Sequence, residues 1–229
     1  MTAGEGAAGR SRLAATTLLA RDRAGRLETL MLRRPTTASF ADAWVWPGGV
    51  VDPVDHPVGR LVDEVEELAA RAAAVRELHE ETGLRAMPDA LVPYALWSPP
   101  IETTPRFRTW FFVGDRHDGV LTPQAGEVEQ LEWVAPADML DAHERGEVTL
   151  VVPTWVTLHQ LLAVGSTAEL LERAATEPFE HYETRLRDEG RWFCWFGDAA
   201  FEDAAGRGEG RHRLETADRP WRYVRAELG

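Results

Sequence analysis

Arg76-Glu77-Leu78-His79-Glu80-Glu81-Thr82-Gly83-Leu84 is the stretch on which the reading of this chain turns. At about 100° per residue along an α-helix, Glu77, Glu80 and Glu81 share one arc roughly 100° wide. Upstream, Leu61, Val65, Leu68, Ala72, Val75, Leu78 and Thr82 recur at spacings of three and four. That is the period of a helix with one face against a core, so a helix is predicted from Arg60 to Thr82. Glu64 falls on the apolar side of the same wheel, which predicts an irregular or later first turn. Gly83 sits where a left-handed residue stops a helix. Leu61, Leu68, Val75 and Leu78 oppose the carboxylate arc and would anchor it. Three carboxylates on one arc repel each other and cost helix stability unless cations neutralise them. Hard oxygen ligands at this spacing suit Mg²⁺ or Mn²⁺, ions that bridge carboxylates and substrate phosphates. A solvated acidic helix face is the ordinary alternative.

Working outward, Ser11–Ala20 and Leu27–Arg33 read as strands around a turn at Asp22–Gly25. Ala43–Trp46 reads as a short strand stopped by Pro47-Gly48-Gly49, with a loop over Val50–Gly59. Beyond the helix, Leu91–Trp97, Arg106–Val113 and Glu127–Val134 are strand candidates, the first two joined by Pro-rich Ser98–Pro105. Helical patterns follow at Pro136–Arg145, Pro153–Val164 and Thr167–Ala175. Strand-like text returns at Arg191–Phe196 and Trp221–Arg225, separated by the Gly- and Arg-rich Gly206–Arg213. Strands on both sides of one long helix predict an α/β or α+β sandwich. Residues 1–10 read as a mobile tail, 11–176 as one domain and 177–229 as a C-terminal extension packed on it.

Composition narrows the function classes. Of 229 residues, 38 are Asp or Glu and 25 Lys or Arg, a formal charge of −13. With no long basic run, such a chain repels a polyphosphate backbone, so a nucleic-acid binder is disfavoured. No apolar run reaches the roughly 18–20 residues of a membrane helix. The opening residues lack the apolar core of a secretory signal, and the one cysteine cannot form an internal disulfide; both agree with a cytoplasmic protein. No Ser or Cys nucleophile has a supporting constellation, and Cys194, within Trp192-Phe-Cys-Trp-Phe196, reads as core.

With its flanks, the opening stretch resembles the Nudix hydrolase family. Arg76-Glu-Leu-x-Glu-Glu-x-Gly-Leu84 matches every specified position of the C-terminal half of the family's box, Arg-Glu-U-x-Glu-Glu-x-Gly-U with U apolar. Pro47-Gly48-Gly49 is similar to the glycine loop that precedes it. The family's usual box reads Gly-x5-Glu-x7-Arg-Glu, whereas Gly49 here precedes Arg76 by 27 positions and Leu68 stands where the first glutamate is expected. An insertion would explain both differences, with Asp52, Asp55, Glu64, Glu66 and Glu67 all candidates to replace that glutamate.

The resemblance implies an α/β/α sandwich with a mixed sheet, and metal-dependent hydrolysis of a diphosphate linked to another moiety. It implies that Glu80 and Glu81 ligate Mg²⁺ or Mn²⁺, that Glu77 is a ligand or general base, and that Arg76 holds the glutamates by salt bridges. The carbonyl of Gly48 or Gly49 would face the metal. A further glutamate outside the box would complete the site, Glu127 first and Glu129 as the fallback. Metal ions withdraw charge from the diphosphate and lower the pKa of bound water, whose proton Glu77 or the outside glutamate would take.

Leu32-Arg33-Arg34-Pro35, Ala43-Trp44-Val45-Trp46-Pro47, Trp97-Ser-Pro-Pro100, Arg106-Phe-Arg-Thr-Trp-Phe-Phe112 and Val152-Pro-Thr-Trp-Val-Thr-Leu158 are similar to the acyl-coenzyme A diphosphatase branch of that family, whose members also carry insertions in the box. The substrate so implied is CoA or acyl-CoA, cleaved to 3′,5′-ADP and a 4′-phosphopantetheine product. Arg33, Arg34, Arg106 and Arg108 are candidates for its extra phosphate. Trp44, Trp46 and Trp97 are candidates to stack on adenine, against the commoner role of core packing. The C-terminal extension would border a groove for the pantetheine arm, or pair two subunits as a homodimer. Two other readings stay open: the same chemistry on ADP-ribose, NADH or another nucleoside diphosphate derivative, and a Nudix-fold module that senses a nucleotide without cleaving it.

Overall fold

A computed structural model describes residues 11–36, 40–57, 62–205 and 207–226, apart from the side chains of 62–64. The tail expected over 1–10, the helix start at Arg60 and Leu61, and the Glu64 side chain lie outside what is described.

The sheet is built on β1 (Arg12–Arg23), a long strand shared between two sets of neighbours. Its first part runs parallel to β6 (Phe107–Gly114), while Ala14–Thr16 also pair antiparallel with β4 (Gly48–Val50). Its last residues form a hairpin with β2 (Arg26–Arg33). Ala24 and Gly25 lie at φ 51° and 76°, the left-handed pair that lets a two-residue turn follow the twist of its strands. With β3 (Ala43–Val45), β5 (Val92–Ser98), β7 (Gln130–Val134), β8 (Thr149–Leu150) and β9 (Glu180–Glu183), the mixed sheet runs β8-β3-β2-β1-β6-β5-β9. β4 joins it on β1 and β7 on β2.

Alternation along these strands sends side chains to two faces, both apolar. Ala15, Leu19, Leu30 and Phe112 face α1 (Val62–Thr82); Leu18, Met31, Phe111 and Val113 face the other way. On that second side lie α2 (Pro136–Glu144), α3 (Val152–Leu161) and α4 (Thr167–Thr176), which contribute Met139, Trp155, Leu158, Leu161 and Leu170. Two layers of helix around one mixed sheet give the expected α/β/α sandwich.

Helix α1 differs in part from its sequence reading in which residues are buried. Ala69, Ala70, Ala73, Ala74, Leu78, Glu81 and Thr82 are closed off from solvent, so Leu78 and Thr82 are buried as expected, while Val65, Leu68, Ala72 and Val75 are half-buried. Hydropathy favours the larger side chains, but an alanine stripe lets the helix axis come close to the sheet. Thr17 on β1 reaches across it, its hydroxyl donating to the Ala74 carbonyl at 3.1 Å. Gly83 caps the helix at φ 74°, its N–H bonded to the His79 carbonyl. Pro47-Gly48-Gly49, read as a loop, continues into β4. The Gly48 position has no room for a Cβ, which would sit 2.3 Å from the Ala15 carbonyl oxygen.

Past α4 the chain first adds β9 to the main sheet, parallel to β5. It then forms a four-stranded antiparallel sheet of β10 (Arg185–Arg187), β11 (Trp192–Cys194), β12 (Arg211–Glu215) and β13 (Arg222–Ala226). β12 occupies part of the stretch read as a separator, because glycine and arginine hid its alternation of His212 and Leu214 inward. Trp195 and Leu214 join the core on the α2–α4 side. Cys194 is fully buried, and burial pushes its thiol up to about 11. Among the described residues no helix is long and apolar enough to cross a membrane.

Candidate functional site

The rotation of the buried stripe on α1 grades the three glutamates by depth. Glu81 lies nearest Leu78 and Ala74 and is 3% exposed. Glu77 is half-buried, and Glu80, on the far edge of the arc, is exposed. Glu81 meets β4: its Oε2 accepts from the Gly48 N–H at 2.8 Å. Glu77 meets the next residue, where a Cβ on Gly49 would fall 2.3 Å from its Oε1. The two glycines therefore let the strand approach β1 on one side and the helix carboxylates on the other.

Arg76 ties this junction together. Its Nη1 donates to Glu77 Oε1 at 2.8 Å and to Glu80 Oε2 at 2.9 Å. Its Nη2 donates to the Val50 carbonyl at 3.1 Å, and its Nε and Nη2 grip both oxygens of Asp55 at 3.1 and 2.9 Å. Of the five acidic candidates for the missing box position, Asp55 is the one bound to Arg76 in a two-pronged pair. Asp52 stands 3.9 Å away, Glu66 takes Arg108 and the Trp110 indole, and Glu67 takes Arg71; Glu64 is outside what is described. Asp55 sits in a short 3-10 turn whose Asp52 N–H it also accepts at 2.8 Å. Burial disfavours its charge, but Arg76 and that N–H together hold the carboxyl below its usual range.

The glutamates shift the other way. Burial raises the Glu77 pKa, against the pull of Arg76 and with help from Glu80 and Glu127. Burial pushes Glu81 up to about 8; the Gly48 N–H and the charge of Arg34 oppose this, while Glu77 and Glu127 reinforce it. Negative charge at this point is undercompensated. Among the described residues no group of three His, Cys, Asp or Glu stands ready-made around a metal position. The donor chemistry nevertheless fits a hard divalent cation: carboxylate oxygens sharing one cleft, their charges mutually opposed.

That cleft has a volume of about 860 Å³, within the ordinary range for ligand pockets. It brings together Gly48, Gly49, Glu77, Glu81, Glu127, Arg34, Trp46 and Trp97 from the sequence reading. Glu127 lies in the turn before β7, which starts at Gln130 rather than at Glu127. Glu80, Arg33, Arg106 and Arg108 do not line it. Arg33 pairs with Asp42 and with Glu129, which removes the fallback glutamate too. Arg34 has no ion pair among the described residues, and its buried Nε has no hydrogen-bond partner. The tryptophans are core residues first. Trp44 is buried in the core; Trp46 donates to the Thr29 hydroxyl at 2.7 Å and sets its edge against Phe111; Trp97 stacks on Tyr182 at 3.9 Å. Arg12, Phe193, Thr216 and Trp221 also line the cleft. Sequence reading did not single them out: the proximity of Phe193, Thr216 and Trp221 depends on how the last sheet folds back, and that of Arg12 on its pairing beside Phe107 of β6.

A family model described as NUDIX domain matches residues 10–152. Over 56 residues the chain is 52% identical to "Putative nudix hydrolase 7" of Caenorhabditis elegans, a match covering 24% of this chain and 16% of that relative. The chain thus spans about a sixth of the length of the curated relative it matches. Among solved structures, a NUDIX hydrolase from Alicyclobacillus acidocaldarius superposes with a TM-score of 0.60 at 25% identity, covering 73% of this chain and 96% of that one. A MutT NUDIX hydrolase from Burkholderia pseudomallei gives a TM-score of 0.48 at 19% identity, over 67% of this chain and 99% of that one.

Proposed function

The chain belongs to the NUDIX domain family, and on that premise we propose that it hydrolyses the diphosphate of a nucleoside diphosphate derivative, with CoA or acyl-CoA as substrate and Mg²⁺ or Mn²⁺ as cofactor. The observation that carries this reading is Glu81: a buried carboxylate in one cleft with Glu77 and Glu127, bonded among the described residues to the Gly48 N–H and to no arginine or lysine. A protein that uses such a group only for packing would gain by replacing it with an uncharged residue.

Glu77, Glu81 and Glu127 would hold the cation, with the Gly49 backbone beside them; Glu80 joins them only by leaving Arg76. A bound Mg²⁺ or Mn²⁺ withdraws charge from the diphosphate and lowers the pKa of the attacking water. Glu77 would accept that water's proton through a carboxylate oxygen that the cation leaves free. Arg76 is a positioning residue, fixed by Asp55 so that Glu77 keeps its place beside Gly49. Arg34, which lines the cleft and has no ion pair among the described residues, would offer its guanidinium to the phosphates. The water oxygen bonds to one phosphorus, the bridging P–O bond breaks, and CoA yields 3′,5′-ADP and 4′-phosphopantetheine. Support for CoA over smaller derivatives is the apolar remainder of the cleft, which a diphosphate and a sugar leave unfilled.

The test is a substrate panel of CoA, acetyl-CoA, NADH and ADP-ribose with Mg²⁺ or Mn²⁺, products identified by mass spectrometry. The expected result is 3′,5′-ADP from CoA species, lost in Glu81→Gln. Faster turnover of ADP-ribose or NADH than of any CoA species would overturn the substrate. Nucleotide binding without turnover of any of them would leave a sensing module instead.

A further inference from the structure

The cleft is divided by charge, and the division follows the chain. Its ionisable lining residues are Arg12, Arg34, Glu77, Glu81 and Glu127; from Val151 onward the lining carries none. That later wall comes from the start of α3, from Phe193 on β11, and from Thr184, Gly190, Thr216 and Trp221 in the segments that flank the strands of the C-terminal sheet. Phe193 and Trp221 are half-buried: they pack against the core yet present aromatic surface to the cleft. Phe107 on β6 and the exposed Phe40, their rings 6.5 Å apart, line the same cleft.

Resting on the reading above, we propose that the C-terminal sheet is the specificity wall of this enzyme, with Phe193 and Trp221 receiving the uncharged amide-and-alkyl arm of the substrate while its diphosphate lies among the glutamates. Two observations carry it. The wall is continuous with the carboxylate end in one cleft, so one ligand can reach both. Its lack of charge disfavours a second phosphate there and favours alkyl and amide groups. The backbone of the wall is itself secured: Thr216 donates its N–H to the Arg191 carbonyl, and Trp221 rests on His143 with ring centres 4.5 Å apart. A fixed aromatic wall binds a flexible chain at lower entropic cost than a mobile one.

The experiment compares the wild-type chain with Phe193→Ser and Phe193→Leu in two assays. In the first, pantetheine, which has the arm and no diphosphate, is titrated calorimetrically into metal-free protein. Binding to the wild type, weakened at least about tenfold by Phe193→Ser and less than about threefold by Phe193→Leu, supports the wall. The second assay is steady-state hydrolysis of CoA and ADP-ribose. Phe193→Ser is expected to raise KM for CoA at least tenfold more than KM for ADP-ribose. Parallel changes in the two KM values, or none, would overturn the proposal. Pantetheine binding to the wild type needs no variant to fold and no diphosphate to be cleaved. Its absence would sink the wall alone, whereas binding without any turnover would sink the reaction and leave the wall standing.

Discussion

Two carboxylates of this chain are buried to nearly the same depth and live in opposite circumstances. Asp198, in the connection between β11 and β12, has a fully enclosed side chain. Arg213 grips both its oxygens at 2.6 and 2.7 Å, and the N–H groups of Ala200 and His212 add two more bonds. Burial disfavours its charge, yet these four donors together hold its pKa below the usual range. Glu81, at the end of α1, receives one backbone N–H and, among the described residues, no side-chain donor, and burial pushes its pKa up to about 8. Burying a charge is tolerated where its lone pairs are answered, and such a group serves the fold. Where they are left unanswered inside a cleft, the group is a candidate to bind a ligand that brings positive charge.

The contrast is broken most forcefully at Asp198. Asp198→Ala strands the Arg213 guanidinium and two N–H groups, so unfolding in urea is expected to show a loss of about 3–5 kcal/mol. Glu81→Gln keeps an acceptor for the Gly48 N–H and removes the unpaired charge. Activity on the substrate panel is expected to fall at least about hundredfold, while metal-free stability at pH 9 rises, on the order of 3 kcal/mol. A loss of stability in Glu81→Gln comparable to that of Asp198→Ala would erase the distinction.

The sign of the pH dependence sharpens it. The folded state holds the Glu81 proton more tightly than the unfolded chain does. Its contribution is therefore present below about pH 4.5 and lost as pH rises through about 8. Mg²⁺ or Mn²⁺ is expected to raise the melting temperature most at the alkaline end of that window, and to do so little in Glu81→Gln. His143 runs the opposite way. Burial, with the charge of Arg219 adding, lowers it from 6.5 to about 4, so its contribution is present above pH 6.5 and lost on descent toward 4. Thermal melts between pH 7 and 4 should show a shallower decline in His143→Gln. The smallest expected effect is at Asp55. Asp55→Asn loosens Arg76 without touching the cleft, and is expected to lower kcat about tenfold with KM for CoA little changed.

The box half of the site was legible because its chemistry is local: Arg76, Glu77, Glu80 and Glu81 lie within two helical turns, and helix geometry alone brings them together. Depth was not legible. It depends on the alanine stripe that seats α1, and hydropathy periodicity gave weight to Val65, Leu68 and Val75 instead. Asp55 could be named only as one of five, since its pairing with Arg76 requires the loop to fold back over the helix. Arginine side chains were the hardest to place. Arg33, Arg34, Arg106 and Arg108 look alike on strands, and only packing shows that Arg34 faces the cleft while Arg33 and Arg108 are taken by Glu129, Asp42 and Glu66. The presence of β1, β2, β3, β5, β6 and β7 followed from alternation and turn residues; β4 did not, because Gly48 and Gly49 read as a loop. β12 did not, because Gly206–Arg213 resembles a linker until His212 and Leu214 find their neighbours.

The central claim is that the carboxylates around Glu81 await a divalent cation, and crystals soaked in Mn²⁺ at pH 8 test it most directly. The expected result is an anomalous scattering peak in contact with carboxylate oxygens of Glu77 and Glu81, absent from Glu81→Gln crystals. Wild-type crystals with no peak there, and Glu81 bonded to Gly48 alone, would contradict the account.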